Sequence, residues 1–226
     1  MPGSAQSIAG VNVVLNTILA EQFEDFADEL EKEKDLSAGI SRIIKRVMTE
    51  HGRIIFNGNN YSEEWVEEAE KRGLLNLKYT VDAMPLLTSE KNIKLFESQN
   101  VFTERELRSR EEIYTETYCR LVNIEAMTML DIATEQILPP AIKYKGELVK
   151  VAENSIKIGV PADTETEMAT TLARLIGSAN QKTAALRTAL EKAHKTGEHI
   201  SGGRCFCDEV LPAMSELRSV CDELEL

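Results

Sequence analysis

The feature that most limits the fold is the spacing of apolar residues in the last third of the chain. Successive apolar residues there are separated alternately by four and three positions, which predicts two helices that each carry one apolar stripe. A loop at 196–203 separates them, which predicts an antiparallel, coiled-coil-like helical hairpin over 164–226. The stripes are Met168, Leu172, Leu175, Ala179, Lys182 (a polar break), Leu186, Ala189 and Ala193, then Cys207, Val210, Met214, Leu217, Cys221 and Leu224.

Helix signals also dominate the rest of the chain, which has only 12 Gly and 6 Pro residues in total. Thr103 and Glu106 form a capping box at the start of one helix, and Pro139-Pro140 predicts a kink or a break. The only short strand candidate is 53–56. We therefore predict an all-α fold with a first helix within 1–35, a helical bundle over 36–158 and the hairpin over 164–226.

Charge and hydropathy exclude two classes of partner. The chain has 38 Asp and Glu against 26 Lys and Arg, a formal net charge of -12, so nucleic acid and anionic lipid would repel it. The nearest basic group, Arg42, Lys45 and Arg46, is interpreted as a solvated helix face. No stretch approaches the roughly 20 apolar residues of a membrane span, and the start, MPGSAQSIAG, lacks the features of a signal peptide. We expect a cytoplasmic protein with no nucleic-acid or membrane partner.

Cysteine and histidine residues near the hairpin turn resemble a metal site only superficially. Cys205 and Cys207 lie near His194 and His199, but Cys-x-Cys does not fit the usual Cys-x2-Cys spacing of zinc sites. Cys207 also falls on the apolar stripe, as does Cys221, where small hydrophobic side chains belong. We therefore expect four reduced thiols and no bound metal.

Carboxylates on the long central helix offer a second candidate metal site. Glu125, Asp131 and Glu135 could face inward, but a di-metal bundle site also needs two Glu-x-x-His pairs, and the sequence has a single Glu-x-x-His, at 191–194. A buried carboxylate bonded to the backbone or to an arginine is the preferred interpretation. Ser201-Gly202-Gly203 lacks the lysine and the preceding strand of a phosphate-binding loop. The residues themselves thus indicate no catalytic, cofactor-binding or metal site.

Several stretches resemble the type III glutamine synthetases. The resemblance covers about 4–153 and is looser in the hairpin. The stretches that carry it are 57–65 (NGNNYSEEW), 68–77 (EAEKRGLLNL), 80–85 (TVDAMP), 89–96 (SEKNIKLF), 123–129 (NIEAMTM) and 136–139 (QILP). Residues 3–12 (GSAQSIAGVN) resemble the segment just after the strand that ends the family's active site.

This resemblance implies a parent enzyme, a ligase of nitrogen metabolism that makes glutamine from glutamate, ammonia and ATP in a double-ring assembly. ATP and magnesium are implied for the parent, but the family's catalytic, nucleotide and metal residues have no matching positions here. We expect a C-terminal, non-catalytic part that packs on the catalytic domain and supports homo-oligomer assembly or regulation. This part alone is expected to be inactive. The alternative is a self-contained helical interaction module with no enzymatic parent.

The first helix carries the sharpest expectation from this resemblance. Its equivalent in the family runs on from the active-site strand, so it should pack on two sides, against the catalytic domain and against this bundle. Its apolar arc is broad near its start, because Val13, Val14 and Leu19 adjoin the stripe of Ile8, Val11, Leu15 and Ile18. We expect an exposed apolar patch over 8–19 that favours self-association; the alternative is that the bundle buries all of it.

Overall fold

The computed structural model describes residues 7–197 and 199–225, and within them every regular element is helical. The α-helices are α1 Ala9–Leu30, α2 Leu36–His51, α3 Glu63–Lys71, α4 Thr80–Leu87, α5 Glu90–Ser98, α6 Glu104–Asp131, α7 Leu138–Lys157, α8 Asp163–Thr196, α9 Ile200–Cys205 and α10 Leu211–Glu225. A 3₁₀ turn spans Gly52–Ile54, and π turns span Ile132–Ile137 and Phe206–Val210. The all-α prediction is confirmed. The strand candidate at 53–56 instead lies in the 3₁₀ turn and the loop that follows it.

Two compact units divide the chain, unit 1 up to Glu111 and unit 2 from Glu112. The division predicted from sequence placed α7 in a bundle over 36–158, apart from a hairpin over 164–226. In the structure α7 and α8 belong to the same unit, because Leu138 and Ala141 of α7 form a buried cluster with Ile176 and Ala179 of α8. The loop around Gly159 is present, but the helices on its two sides pack together.

Helix α8 lies at the centre of unit 2 and forms the predicted hairpin with α9 and α10. Lys182 contacts Glu216 and Lys192 contacts Glu209, each at 2.5 Å, so the partner positions run in opposite directions along the two arms. Burial of apolar side chains stabilises this unit. The larger buried cluster comprises Cys119, Val122, Ala126, Leu130, Ala133, Leu186, Leu190, Ala193, Cys205, Phe206, Val210, Met214, Leu217 and Cys221.

The predicted break at Pro139-Pro140 takes the form of a π turn. Leu138 donates its N–H to the carbonyl of Ala133, five residues back rather than four, and the prolines that follow have no N–H to donate. The wider turn keeps the helical path continuous from α6 into α7. The second π turn ends in the same way two residues before Pro212, so the proline-associated adjustment occurs twice in unit 2.

Unit 1 has a sparser interior than unit 2. Its buried apolar side chains are Ile43, Val81, Leu95, Phe96 and Leu107. Both buried apolar clusters found among the described residues lie in unit 2. Local hydrogen bonds at helix ends also stabilise the helices of unit 1. The capping box is formed as predicted, with Thr103 N–H donating to Glu106 Oε2 at 2.9 Å and Glu106 N–H to Thr103 Oγ1 at 3.3 Å.

Candidate interaction surface

The first helix turns apolar side chains toward solvent. Ile8, just before α1, is 57% exposed, and Leu15, Leu19 and Phe23 on α1 are 54%, 53% and 68% exposed. Their spacing of seven, four and four residues places them on one face. Ile18, 41% exposed, extends this face, and we call the five side chains the α1 surface.

The contacts of α1 within unit 1 include a buried side chain and polar pairs. Thr17 is the buried residue of this helix, and the hydroxyl donates to the carbonyl of Val13 at 2.7 Å. Polar side chains connect the helix to its neighbours: Arg46 of α2 contacts Glu29 at 2.5 Å, and Gln99 donates to Glu24 at 2.5 Å. An ordinary surface helix turns its apolar stripe to the core and its polar face to water. In α1 most of the apolar stripe faces water instead, as the polar face also does.

The predicted apolar patch over 8–19 is therefore confirmed. Val11, Val13 and Val14 are half-buried, and Ile18 is exposed, so unit 1 does not bury the apolar arc. A contiguous apolar face of this kind on a folded chain indicates an interaction surface. Residues 3–6 of the resembling segment, and the start of the predicted first helix, lie outside the described residues.

The cysteine candidates are buried packing residues, whereas the two histidines are exposed. Cys205 and Cys207 are buried within the larger cluster of unit 2, and burial raises the pKa of the Cys205 thiol, which disfavours the thiolate that binds metal. His194 Nε2 lies 2.6 Å from Asn123 Oδ1, and His199 stands at the N-cap of α9. All four cysteines are buried and none forms a disulfide. Over 7–197 and 199–225, no three His, Cys, Asp or Glu side chains form a group that could hold a metal ion.

The expectation of a buried carboxylate on the central helix is wrong. Glu125, Asp131 and Glu135 are all exposed. The inward positions belong to neighbouring residues, and Ala126 and Leu130 are buried in the cluster of unit 2. The sequence showed which segment was helical, but the apolar stripe, not the carboxylates, determines the buried face.

A second exposed surface surrounds α3, and the sequence reasoning missed it. Tyr61 is 99% exposed and Leu75 is 76% exposed. Ile54 and Ile55, in the segment before α3, are exposed as well. We call these four side chains the α3 surface. The turn-rich sequence at 56–61 predicted a loop, but no local pattern reports that a loop carries an unburied tyrosine.

Comparison with known proteins identifies the family. The family described as "Glutamine synthetase C-terminal domain" matches residues 39–156, more than half of the chain. This chain belongs to the glutamine synthetase C-terminal domain family. The match runs from α2 to α7, and it confirms the resemblance noted from sequence. It does not favour an unrelated interaction module.

Relatives of the glutamine synthetase family extend the similarity beyond that region. A type-3 glutamine synthetase of Dictyostelium discoideum is 32% identical over 237 residues, which cover 99% of this chain and 32% of the relative. A glutamine synthetase of Butyrivibrio fibrisolvens is 33% identical over 193 residues, covering 84% of this chain and 28% of the relative. One of Bacteroides fragilis is 26% identical over 235 residues. The chain thus spans about a third of the length of these relatives.

One further observation concerns membranes. Of the helices in the described part of the chain, none combines the length and the apolar character that crossing a bilayer requires.

Proposed function

We propose that this chain is the C-terminal, non-catalytic part of a type III glutamine synthetase and that it packs through the α1 surface on the catalytic part of that enzyme. The parent would join ammonia to glutamate with ATP and release glutamine. The family match and the third-length coverage of the relatives support this proposal. The observation that carries it is the outward apolar face of α1.

The physical driving force for packing is burial of the α1 surface. Fully burying a large aliphatic or aromatic side chain stabilises by about 1.5–3 kcal/mol. The side chains of this surface are about half-exposed, so covering the remainder contributes about 1 kcal/mol each. Five such contributions would hold a helix firmly against a partner, although the entropic cost of docking offsets part of the gain.

ATP and magnesium, which the parent requires, would be bound by the enzyme's catalytic part. The described residues bring together no set of metal ligands, so this chain would contribute packing and would support homo-oligomer assembly. The buried cysteines, which form no disulfide, support a reducing compartment, the cytoplasm, for this enzyme.

A chimeric enzyme tests the proposal. This chain replaces the matching third of the Dictyostelium relative, and glutamine formation and assembly mass are measured. We expect the chimera to assemble and to form glutamine. Leu15→Asp combined with Leu19→Asp should lower the assembly mass, whereas the matched change Leu121→Asp, at an exposed leucine of α6 in unit 2, should have little effect.

Two outcomes would count against it. An unmodified chimera that neither assembles nor forms glutamine would reject the docking role. So would a chimera whose assembly is unchanged by aspartate at both positions of the α1 surface.

A further inference from the structure

The α3 surface is displayed by a built scaffold rather than by a loose loop. Phe56 stacks on Trp65 with ring centroids 4.5 Å apart, and the Arg72 guanidinium lies 5.8 Å from the Trp65 ring centroid. Arg72 also donates to the carbonyl of Ile55 at 2.7 Å and to Glu68 Oε1 at 2.6 Å. These contacts hold the segment before α3 against the C-terminal end of that helix.

Local backbone constraints fix the position of Tyr61. A Cβ atom on Gly58 would lie 2.5 Å from the ring of Phe56, so a larger residue there would require the ring to shift. Asn59 Oδ1 accepts the N–H of Tyr61 at 3.1 Å. After α3, Gly73 adopts a φ of 70°, which reverses the chain toward Leu75. Both exposed side chains therefore stand on a defined backbone.

The two ends of α3 differ in shape and in charge. At the N-terminal end, Tyr61 is followed closely by the exposed carboxylates of Glu63 and Glu64. At the C-terminal end the exposed apolar side chains Ile54, Ile55 and Leu75 are accompanied along the chain by three exposed cations and one exposed carboxylate, Arg53, Lys71, Lys78 and Glu70. One end thus offers a projecting aromatic ring with negative charge, and the other offers an apolar patch where cations outnumber carboxylates.

We propose that the α3 surfaces of two copies of this chain pair about a two-fold axis. Tyr61 of one copy would pack on the apolar patch of the other, and Glu63 and Glu64 would face Lys71 and Lys78. A two-fold interface must be self-complementary, with each contact made twice, and the two ends of α3 meet this requirement. An exposed tyrosine is also a residue type enriched among those that dominate binding energy. The pairing names a surface for the proposed homo-oligomer, but it does not depend on docking through α1.

Sedimentation equilibrium of the full 226-residue chain tests this pairing. Leu15→Asp with Leu19→Asp serves as the background, because it removes association through the α1 surface. We expect this background to dimerise, and Tyr61→Ala to raise the dissociation constant tenfold or more. The matched control is Tyr144→Ala, at a 46% exposed tyrosine of α7, which should leave the dissociation constant unchanged. Circular dichroism checks that each variant remains folded.

Charge reversal gives a second, independent readout. Glu63→Lys with Glu64→Lys should weaken the dimer, and adding Lys71→Glu with Lys78→Glu should restore it, because the facing charges are then exchanged. A background that is monomeric would overturn the pairing, as would equal dissociation constants for the Tyr61 and Tyr144 variants. The same holds if the variant with all four charges reversed dimerises no more tightly than the variant with only the two glutamates reversed. None of these results bears on the chimera, so the two proposals fail separately.

Discussion

Two leucine-to-alanine substitutions should differ sharply in their effect on stability, because the two side chains lie in opposite environments. Leu186 of α8 is fully buried within the larger cluster of unit 2, whereas Leu19 of α1 is 53% exposed. Leucine to alanine removes three carbons, which at about 0.8 kcal/mol each gives about 2.4 kcal/mol of lost burial. The cavity left in a packed core adds to this, so Leu186→Ala should cost about 3–4 kcal/mol. Leu19→Ala should cost about 1 kcal/mol or less.

Hydrogen exchange measured by mass spectrometry is the suitable assay, because it reports the opening free energy of each helix separately. A loss of about 3 kcal/mol would speed exchange of the most protected α8 amides by about two orders of magnitude. Peptides from α1 in the Leu19→Ala variant should exchange almost as in the unmodified chain. A Leu186→Ala cost below about 1 kcal/mol, or a larger cost at Leu19, would refute the assignment of core and surface.

Three other predictions concern chemistry and capping. The purified chain alone should form no glutamine from glutamate, ammonia and ATP with magnesium; robust ATP-dependent formation would contradict the proposed division of labour. The protein as purified should hold no stoichiometric zinc by elemental analysis, and its cysteines should be free thiols. Bound zinc, or a Cys205–Cys207 disulfide under cytoplasmic conditions, would contradict this prediction. The hydrogen bonds from the Thr103 N–H and hydroxyl lower the pKa of Glu106 below its ordinary value of 4.5. That stabilisation is present above pH 4.5 and is lost as the pH falls through the lowered pKa. Glu106→Gln should remove this pH dependence from amide exchange in the first turn of α6.

Local and repeated signals made much of the fold predictable. The apolar stripe of α8 and the capping box at Thr103 each specify structure over a few residues, and both are present. The first helix was predicted from its period and occurs at Ala9–Leu30. The exposure of its apolar arc could also be predicted, since that arc is wider than one small core requires.

Features that depend on distant contacts were not predictable in this way. Helix α4 was missed because Pro85 lies inside it and proline ordinarily marks a helix end. The unit boundary was misplaced because a glycine linker shows where a chain turns, not which helices pack afterwards. Arg72 reaches carbonyls 17 and 19 residues away, and no periodic pattern predicts such a contact.

The most direct test of the central claim compares the exposure of α1 in two contexts. Amide exchange of peptides from Ala9–Leu30 is measured in the isolated chain and in the chimera with the Dictyostelium relative. Docking through the α1 surface predicts exchange at least about tenfold slower in the chimera, with slowing abolished by aspartate at Leu15 and Leu19. Equal exchange of α1 in the two proteins would contradict the claim that this helix packs on the catalytic part of the enzyme.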